Sequence, residues 1–392
     1  MSPRRVVVTG AEVVSCVGLN RHAFFDGLLA DAPTERPREV PEYDLSPYFD
    51  RKEARRLDRH AHLALTAAIE AIASAGELGY DPTRIGTLVG TGVGGMRTFE
   101  EQVLVANEKG ERRVSPFLIP MMMANGVSAQ VSMRNGFEGP CETTVTACAA
   151  SNQSIGNALN MIRWNRCDAM VTGGAESALT KTGMAGFANM TALSNEGISR
   201  PFDAQRDGFI QAEAAGVLVL EELEGAKARG ANILAEILGY ATSADAHHIT
   251  APSPGGRGAI HCMTLAIEDA GLSPGDITYV NAHGTSTPLN DAAEAIAIDT
   301  LFGSPGPKVT SIKGVTGHSL GAAGALEAIS VIESMQRGLI PPTANTTAVD
   351  PELPQIDLVV GEAAEWTPGP ALSNSFGFGG HNATLVFGPP PT

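Results

Sequence analysis

Cys148 stands in Thr143-Thr144-Val145-Thr146-Ala147-Cys148-Ala149-Ala150-Ser151-Asn152-Gln153-Ser154-Ile155-Gly156-Asn157-Ala158. Thr143–Thr146 reads as the end of a β-branched strand, and Ile155, Leu159 and Ile162 recur at helical spacing. That spacing puts Cys148 at a strand-to-helix elbow, on the first turn of a helix. Unpaired N–H groups and the positive end of the helix dipole then face its sulfur. Such surroundings lower a thiol pKa and favour the nucleophilic thiolate. A buried cysteine acting as a small hydrophobe fits the same window, so this window alone leaves both readings open.

Three later segments bear on the choice. Tyr279-Val280-Asn281-Ala282-His283-Gly284-Thr285-Ser286-Thr287-Pro288 places a histidine just past an apolar strand. Thr310-Ser311-Ile312-Lys313-Gly314-Val315-Thr316-Gly317-His318-Ser319-Leu320 places a lysine and a second histidine in a Gly-rich loop before a helix. Ser373-Asn374-Ser375-Phe376-Gly377-Phe378-Gly379-Gly380-His381-Asn382 is a Gly-rich turn between two short strands. One Cys, two His and one Lys at strand ends are what decarboxylative carbon–carbon bond formation needs. The thiolate accepts an acyl group, and two imidazoles stabilise the enolate formed as carbon dioxide leaves. The lysine adds fixed positive charge.

Together, in this order, the four segments resemble the β-ketoacyl-acyl carrier protein synthases, the condensing enzymes of fatty-acid and polyketide synthesis. The resemblance runs from Arg4-Arg5-Val6 to Leu385-Val386-Phe387 and is nearest the elongating, Cys-His-His type. The initiating type uses Asn in place of the second His, and thiolases end on a second catalytic cysteine. Here His318 follows Lys313-Gly314-Val315-Thr316-Gly317, and no cysteine follows Cys262.

The resemblance implies roles for individual residues. Cys148 is the acyl acceptor; His283 and His318 donate to the thioester oxygen of the extender unit. Their protonation states stay open at this point. Lys313 is buried and paired with Glu327, nine residues after His318, as electrostatic scaffolding. The N–H groups of Phe378 and Cys148 form an oxyanion hole, and the Phe378 side chain gates the nucleophile from a turn made possible by Gly377 and Gly379. Asp245 and His248 are the polar contacts of a mobile loop beside that gate. Thr285 and Thr287 flank the pantetheine tunnel, or simply cap their loop. Met121, Met122 and Met123 occupy a dimer-facing part of the acyl pocket, their thioethers suiting an unusual chain, and Phe99 narrows the same pocket. Lys52, Arg55 and Arg56, in the densest basic run, dock an acidic carrier protein, unless that run is only a solvated helix face.

Departures bear on the substrate. Ala149-Ala150-Ser151-Asn152 replaces the small residue and Ser-Gly common after the nucleophile, Glu12 and Cys16 replace a typical Gly and Pro, and Ala192–Ile198 is short. These lean toward type II polyketide chain elongation, with fatty-acid elongation by a synthase II as the alternative. A coenzyme-A-dependent thiolase-like acyltransferase and an inactive chain-length-factor subunit are the remaining readings. The partners implied are acyl carrier protein and either a second copy or a chain-length-factor-like homologue. No cofactor or metal is expected, since substrates ride on the carrier's phosphopantetheine.

The elements that must position these residues alternate along the chain. Strands are expected at Val6–Thr9, Ile85–Gly90, Thr143–Thr146, Ala169–Gly173, Ile233–Tyr240 and Ile277–Asn281. Helices are expected at His62–Ala75, from Cys148, and at Ala259–Ala270, Asp291–Leu301 and Leu320–Met335. Loops are expected at Asp31–Tyr48 and Asn107–Pro120. This is an α/β pattern of layered sheets. The family resemblance makes it a thiolase fold, two pseudo-repeated halves in an α-β-α-β-α layered sandwich, residues 1–230 and 231–392. The 392 residues can bury a large core. A formal charge of −16 argues against nucleic acid or an acidic membrane surface. Five scattered cysteines without metal spacing suggest a reduced, cytoplasmic chain, and no apolar stretch reaches the length of a membrane span.

Overall fold

The computed structural model describes residues 4–30, 32–33 and 35–391. Its strands are β1 (Val6–Ser15), β2 (Ile85–Gly90), β3 (Cys141–Glu142), β4 (Ala169–Glu176), β5 (Ala214–Glu222), β6 (Ala235–Ala244), β7 (Tyr279–Asn281), β8 (Lys308–Thr310), β9 (Leu339–Ile340), β10 (Asp357–Leu358), β11 (Ala364–Glu365), β12 (Ala371–Gly377) and β13 (His381–Gly388). β9 and β11 pair with each other; the rest run β10-β8-β7-β12-β13-β6-β1-β5-β4-β2-β3.

One pattern of strand senses occurs twice in that order. β1 is antiparallel to β5, β5 antiparallel to β4, β4 parallel to β2, and β2 parallel to β3. β6 is antiparallel to β13, β13 antiparallel to β12, β12 parallel to β7, and β7 parallel to β8. The two sets join where Val6–Val8 pair with Ala235–Ile237. The Arg59–Ala75 helix covers β1, β4 and β5 from outside, and the Arg257–Asp269 helix covers β6, β12 and β13. Between them lie the Ala150–Arg163 and Ala323–Arg337 helices, each touching strands of both sets and each other. This is the α-β-α-β-α layering that the resemblance implies.

The middle layer explains the composition of its helices. Every residue from Ala323 to Met335 is buried, because sheets flank this helix on both sides. Ile155, Leu159 and Ile162 of the other helix sit in the same core cluster as Ile329 and Ile332. Both helices are entered alike. A 3-10 turn, Ala147–Ala149 or Leu320–Ala322, precedes each. Each turn starts on a non-glycine residue with positive φ, 49° at Ala147 and 47° at Leu320. Such backbone is held by its surroundings, and it recurs at functional sites.

Several sequence expectations shift. Thr143–Thr146 is not a strand: the sheet edge ends at Glu142, and the chain turns away, with Thr91 N–H bonded to the Thr144 carbonyl at 3.1 Å. The long helix begins at Arg59 rather than His62, because Asp58 caps it by accepting from His60 N–H. β6 is displaced to Ala235–Ala244, and the helix expected from Asp291 starts at Pro288. The stretch Asn107–Pro120 is not one loop: it holds the end of the Met96–Lys109 helix, a 3-10 turn and the start of the Leu118–Met122 helix. Of the loop expected at Asp31–Tyr48, residues 31 and 34 lie outside the described residues.

Gly156 lets the Ala150–Arg163 helix lie flat on the second sheet. A Cβ there would overlap the ring of Tyr240 on β6. Gly156→Ala is expected to destabilise the protein by about 1–3 kcal/mol through overpacking. Thermal unfolding reads this as a lower Tm, and an unchanged Tm would show that the helix has room to shift.

Candidate active site

Cys148 sits on the 3-10 turn, and the α-helix proper begins at Ala150. The turn is pressed onto the β12–β13 hairpin: a Cβ on Gly377 would lie 3.1 Å from the Cys148 nitrogen, so any larger residue would have to push the turn back by a few tenths of an ångström. The backbone N–H groups of Phe378 and of Cys148 both act on the sulfur. They, and Lys313, pull the thiol pKa down. Burial outweighs them and pushes the Cys148 thiol up to about 12. Cys148 therefore rests as a neutral thiol, and the lowered pKa expected from a helix N-terminus is corrected. That expectation took in the helix end but not the burial of the sulfur, which disfavours the charged form.

His318 Nε2 lies 3.1 Å from Cys148 Sγ. Backbone bonds fix its segment: His318 N–H donates to the Ile210 carbonyl at 2.7 Å, and Ala212 N–H donates to the His318 carbonyl at 3.0 Å. The His283 ring packs edge-on to the His318 ring, centroids 5.4 Å apart. Lys313 Nζ sits beneath His283, donating to its carbonyl at 2.6 Å and to its Nδ1 at 3.3 Å. The ammonium also pairs with Glu327, and both side chains are 1% exposed. Burial and the Lys313 charge hold both histidines well below the usual imidazole pKa, so both are neutral. A lysine only donates, so Nδ1 of His283 must accept and its proton must sit on Nε2. The protonation question left open by the sequence is settled for His283: it is a neutral Nε2–H donor.

Sequence reasoning missed the acids that hold these loops. Glu294 accepts from His283 N–H and Gly284 N–H, each at 2.8 Å. Asp291 accepts from Phe202 N–H at 2.8 Å and Ser286 N–H at 3.1 Å. Glu176 accepts from Gly92 N–H at 2.6 Å and from Gly321 N–H at 3.1 Å, tying the second 3-10 turn to the loop after β2. Asn152 donates to the Ser373 carbonyl at 3.0 Å, joining the Cys148 helix to β12. The available signal was Asp291 and Glu294 on the face of a helix otherwise rich in Ala and Ile. Their burial was not readable, because charged residues usually mark a solvated face.

Phe378 follows Gly377 and precedes Gly379 and Gly380, whose φ values are 86° and 75°. Asp245 N–H donates to the Gly380 carbonyl at 2.9 Å, and Asp245 accepts from Asn382 at 2.8 Å and Ser253 N–H at 3.0 Å. The 245–253 loop is thus tied to the Phe378 turn. His248 plays no part in that tie. It is exposed, and its Nδ1 accepts from Thr250 and Ala251 N–H within its own turn.

A cavity of about 520 Å³ opens onto Cys148, His283, His318 and Phe378. Thr285 and Thr287 line it, their hydroxyls 2.9 Å apart. Met190, Leu289 and Asn195 form part of its wall. Phe99, Met121, Met122 and Met123 do not line it. Phe99 and Met123 are exposed, with Val103, Leu104 and Ile119, on an apolar outer face, so the pocket expected from them is not formed within one chain. Lys52, Arg55 and Arg56 are exposed but also stay off this cavity. Of the basic run from Asp50 to Arg59, Arg51–Ala54 is a short helix and Arg59 opens the long one, and Arg56 lies over the Phe117 ring at 4.3 Å.

The ligand atoms of Cys148, His283 and His318 lie within 4.8 Å of one another, a spacing a metal could use. The Lys313 contact argues otherwise, since it leaves no lone pair on Nε2 of His283. The cluster is arranged to donate hydrogen bonds into the cavity.

Comparison with known proteins agrees with this chemistry. The family "Beta-ketoacyl synthase, N-terminal domain" matches residues 42–226, and "Beta-ketoacyl synthase, C-terminal domain" matches residues 234–347. A 3-oxoacyl-[acyl-carrier-protein] synthase 2 of Synechocystis sp. is 43% identical, covering 99% of this chain and 98% of its own. The structure of the ishigamide ketosynthase/chain length factor superposes with a TM-score of 0.94 at 34% identity, covering 100% of both chains. A type II polyketide synthase acyl-carrier protein in complex with its ketosynthase superposes with a TM-score of 0.89 at 28% identity, again over 100% of both. The chain belongs to the β-ketoacyl synthase family.

Proposed function

We propose that this chain condenses an acyl group held on Cys148 with a malonyl group held on acyl carrier protein. The observation that carries the reading is Lys313 Nζ against Nδ1 of His283, which fixes a proton on Nε2 facing the Cys148 cavity. In the first half-reaction the Cys148 sulfur bonds to the acyl carbonyl carbon. The bond to the pantetheine sulfur breaks, and the thiol proton passes by His318 to that leaving sulfur. In the second, the malonyl carbon–carboxylate bond breaks and carbon dioxide leaves. The electron pair enters an enolate whose oxygen accepts from Nε2–H of His283, and from His318 once its single proton has shifted from Nδ1 to Nε2 after loading. The enolate carbon attacks the Cys148-bound carbonyl, whose oxygen is held by Phe378 and Cys148 N–H. The carbon–Cys148 bond then breaks, and the sulfur takes a proton from solvent. The steps use no cofactor beyond the carrier's phosphopantetheine.

Residues 1–230 form the half that brings the nucleophile, and residues 231–392 the half that brings the histidines and lysine. The two 3-10 entries and the repeated strand senses support that division. Among the described residues no helix is long and apolar enough to cross a membrane, and we place the enzyme in the cytoplasm. Its outer apolar face fits a second copy or a chain-length-factor-like homologue. Polyketide elongation is our first reading of the pathway, from the departures around Asn152. The 43% identity to a 3-oxoacyl-[acyl-carrier-protein] synthase 2 favours fatty-acid elongation as the second.

Mass spectrometry of protein treated with acyl carrier protein tests the core reading. Acyl mass should appear on Cys148, and Cys148→Ala should abolish condensation. His283→Ala and His318→Ala should still load acyl groups but release carbon dioxide about 10²–10³-fold more slowly per lost donor. Acyl mass on another cysteine, or wild-type decarboxylation in both histidine variants, would sink the assignment.

Acidity gives a separate check. Burial raises Glu294 and Glu327 from the usual 4.5 to about 7. Protonated Glu294 cannot accept fully from both loop N–H groups, so decarboxylation should fall as pH drops below about 7. Stability should move the other way. The folded state holds these protons longer than the unfolded chain, so their contribution is complete below about 4.5 and is lost as pH rises through about 7. Glu294→Gln should flatten the fall of unfolding free energy with pH in this window. An unchanged slope would show that Glu294 titrates normally.

Docking is read from the basic run. Reversing Lys52, Arg55 and Arg56 to Glu should raise KM for carrier-bound substrate and leave a small pantetheine thioester nearly unaffected. Carrier binding should also weaken with salt, as exposed charges are screened beyond about 10 Å at 0.1 M. Equal losses for both substrates would indicate misfolding, and no loss would return the run to a solvated surface.

A further inference from the structure

Asn152 is fully buried on the Ala150–Arg163 helix, one turn past Cys148. Its Nδ2 donates to the Ser373 carbonyl of β12 at 3.0 Å. A carbonyl only accepts, so this contact fixes which end of the amide is nitrogen. The other end, Oδ1, has no partner among the described residues. It lies against Gly324 of the second central helix, where an added Cβ would sit 2.6 Å from it. Half an amide is thus buried unsatisfied, which costs stability, whereas an apolar side chain of the same shape would cost little. What Asn152 holds in exchange is Ser373. In the parallel β12–β7 ladder Ser373 stands opposite Asn281, two residues before His283. Next along β12, Asn374 Nδ2 approaches Glu294 at 3.4 Å, the acid that holds the His283 loop. A single hydrogen bond therefore runs from the helix that carries the sulfur to the strand that braces the imidazole.

We propose that Asn152 is a positioning residue for carbon–carbon bond formation: its hydrogen bond to Ser373 sets the separation between the acyl carbon on Cys148 and the enolate carbon held at His283. The proposal rests on the ketosynthase reading and deepens it. Loading needs the thiol, His318 and the two N–H groups at the sulfur. Decarboxylation needs the histidines. Condensation alone needs both carbons at attacking distance, about 3–3.5 Å, and a misplacement of about 1 Å costs on the order of 10²-fold. After carbon dioxide leaves, the enolate carbon has two fates. It bonds to the acyl carbonyl carbon as the bond to the Cys148 sulfur breaks, or it takes a proton from solvent and leaves as acetyl-carrier. Loosening the span between the two segments slows the first fate and not the second.

The test is the partition between those fates. Wild-type protein, Asn152→Leu and Asn152→Asp are each loaded on Cys148 from a six-carbon acyl-pantetheine thioester and then given malonyl-acyl carrier protein. Leu keeps the shape without the donor; Asp keeps the shape and turns an oxygen toward the Ser373 carbonyl. Mass spectrometry of the carrier reads the ratio of acetyl-carrier to β-ketoacyl-carrier. Relative to wild type, that ratio should rise about tenfold in both variants, as expected for a shift of roughly half an ångström. Both species derive from the same decarboxylation, so an unfolded fraction of the protein leaves the ratio unchanged. Wild-type ratios in both variants, or parallel loss of loading, decarboxylation and condensation, overturn the proposal and leave Asn152 a packing residue. Failure of wild-type protein to take the acyl group on Cys148 overturns the ketosynthase reading instead.

Discussion

A single buried ammonium governs the site. Lys313 is about as enclosed as any residue in the protein, and an unpaired charge there would be costly by several kcal/mol. Glu327 offsets that cost from one side. The His283 carbonyl and Nδ1 take two of its remaining protons. Because an ammonium cannot accept, the direction of each of these bonds is forced, and His283 keeps its proton on the nitrogen that faces the cavity. Burial, with the same charge behind it, holds His318 neutral, and the charge pulls on the Cys148 thiol without overcoming its burial. One buried charge thus acts on three groups of the site, although it touches only one of them.

That constraint works only if two halves of the chain meet within a few ångströms. Cys148 comes from the turn before one central helix, and Gly321 holds the corresponding place before the other. The turns are locked across the interface by Glu176 on Gly321 and by Ser151 on the Gly321 carbonyl. Asn152 reaches further, to β12, whose next residues form the Phe378 turn. The polar residues after Cys148 therefore read as cross-links between halves. A buried polar side chain needs a partner, and Ser151 Oγ and Asn152 Nδ2 find theirs on the other half of the molecule.

Much of this was legible because catalytic loops carry chemistry in their residue types. Cys148, His283, Lys313, His318 and Phe378 stand in Gly-rich segments whose composition suits sharp turns and close approach. The structure brings Cys148, His283, His318 and Phe378 to one cavity, with Lys313 buried against His283. What stayed hidden was burial of charge. Glu294, Asp291 and Glu176 look like ordinary surface acids in sequence, and only their backbone donors reveal them as loop anchors. Thr143–Thr146 misled for a related reason: β-branched residues favour a strand, but tertiary contacts turn the chain toward the elbow. The sequence reading places the acyl pocket on a dimer-facing wall, and one chain leaves Phe99 and Met123 apolar and exposed there; sequence patterning does not separate a pocket wall from an uncovered face.

The neutral thiol also makes chemical sense of the whole cycle. Cys148 must attack in one half-reaction and leave in the other. A strongly lowered pKa would make a good leaving group but a weaker nucleophile, and a raised one the reverse. Burial favours attack, provided a partner removes the proton, and His318 Nε2 at 3.1 Å is placed for that. Departure is helped not by the thiol's own acidity but by the N–H groups of Phe378 and Cys148, which act on the sulfur in the resting enzyme. They are positioned to hold the oxyanion from which the sulfur is expelled. Both N–H groups belong to turns that Gly377 lets approach closely. The close approach of a glycine backbone to the nucleophile's own backbone therefore ties acyl loading and condensation to the same few atoms.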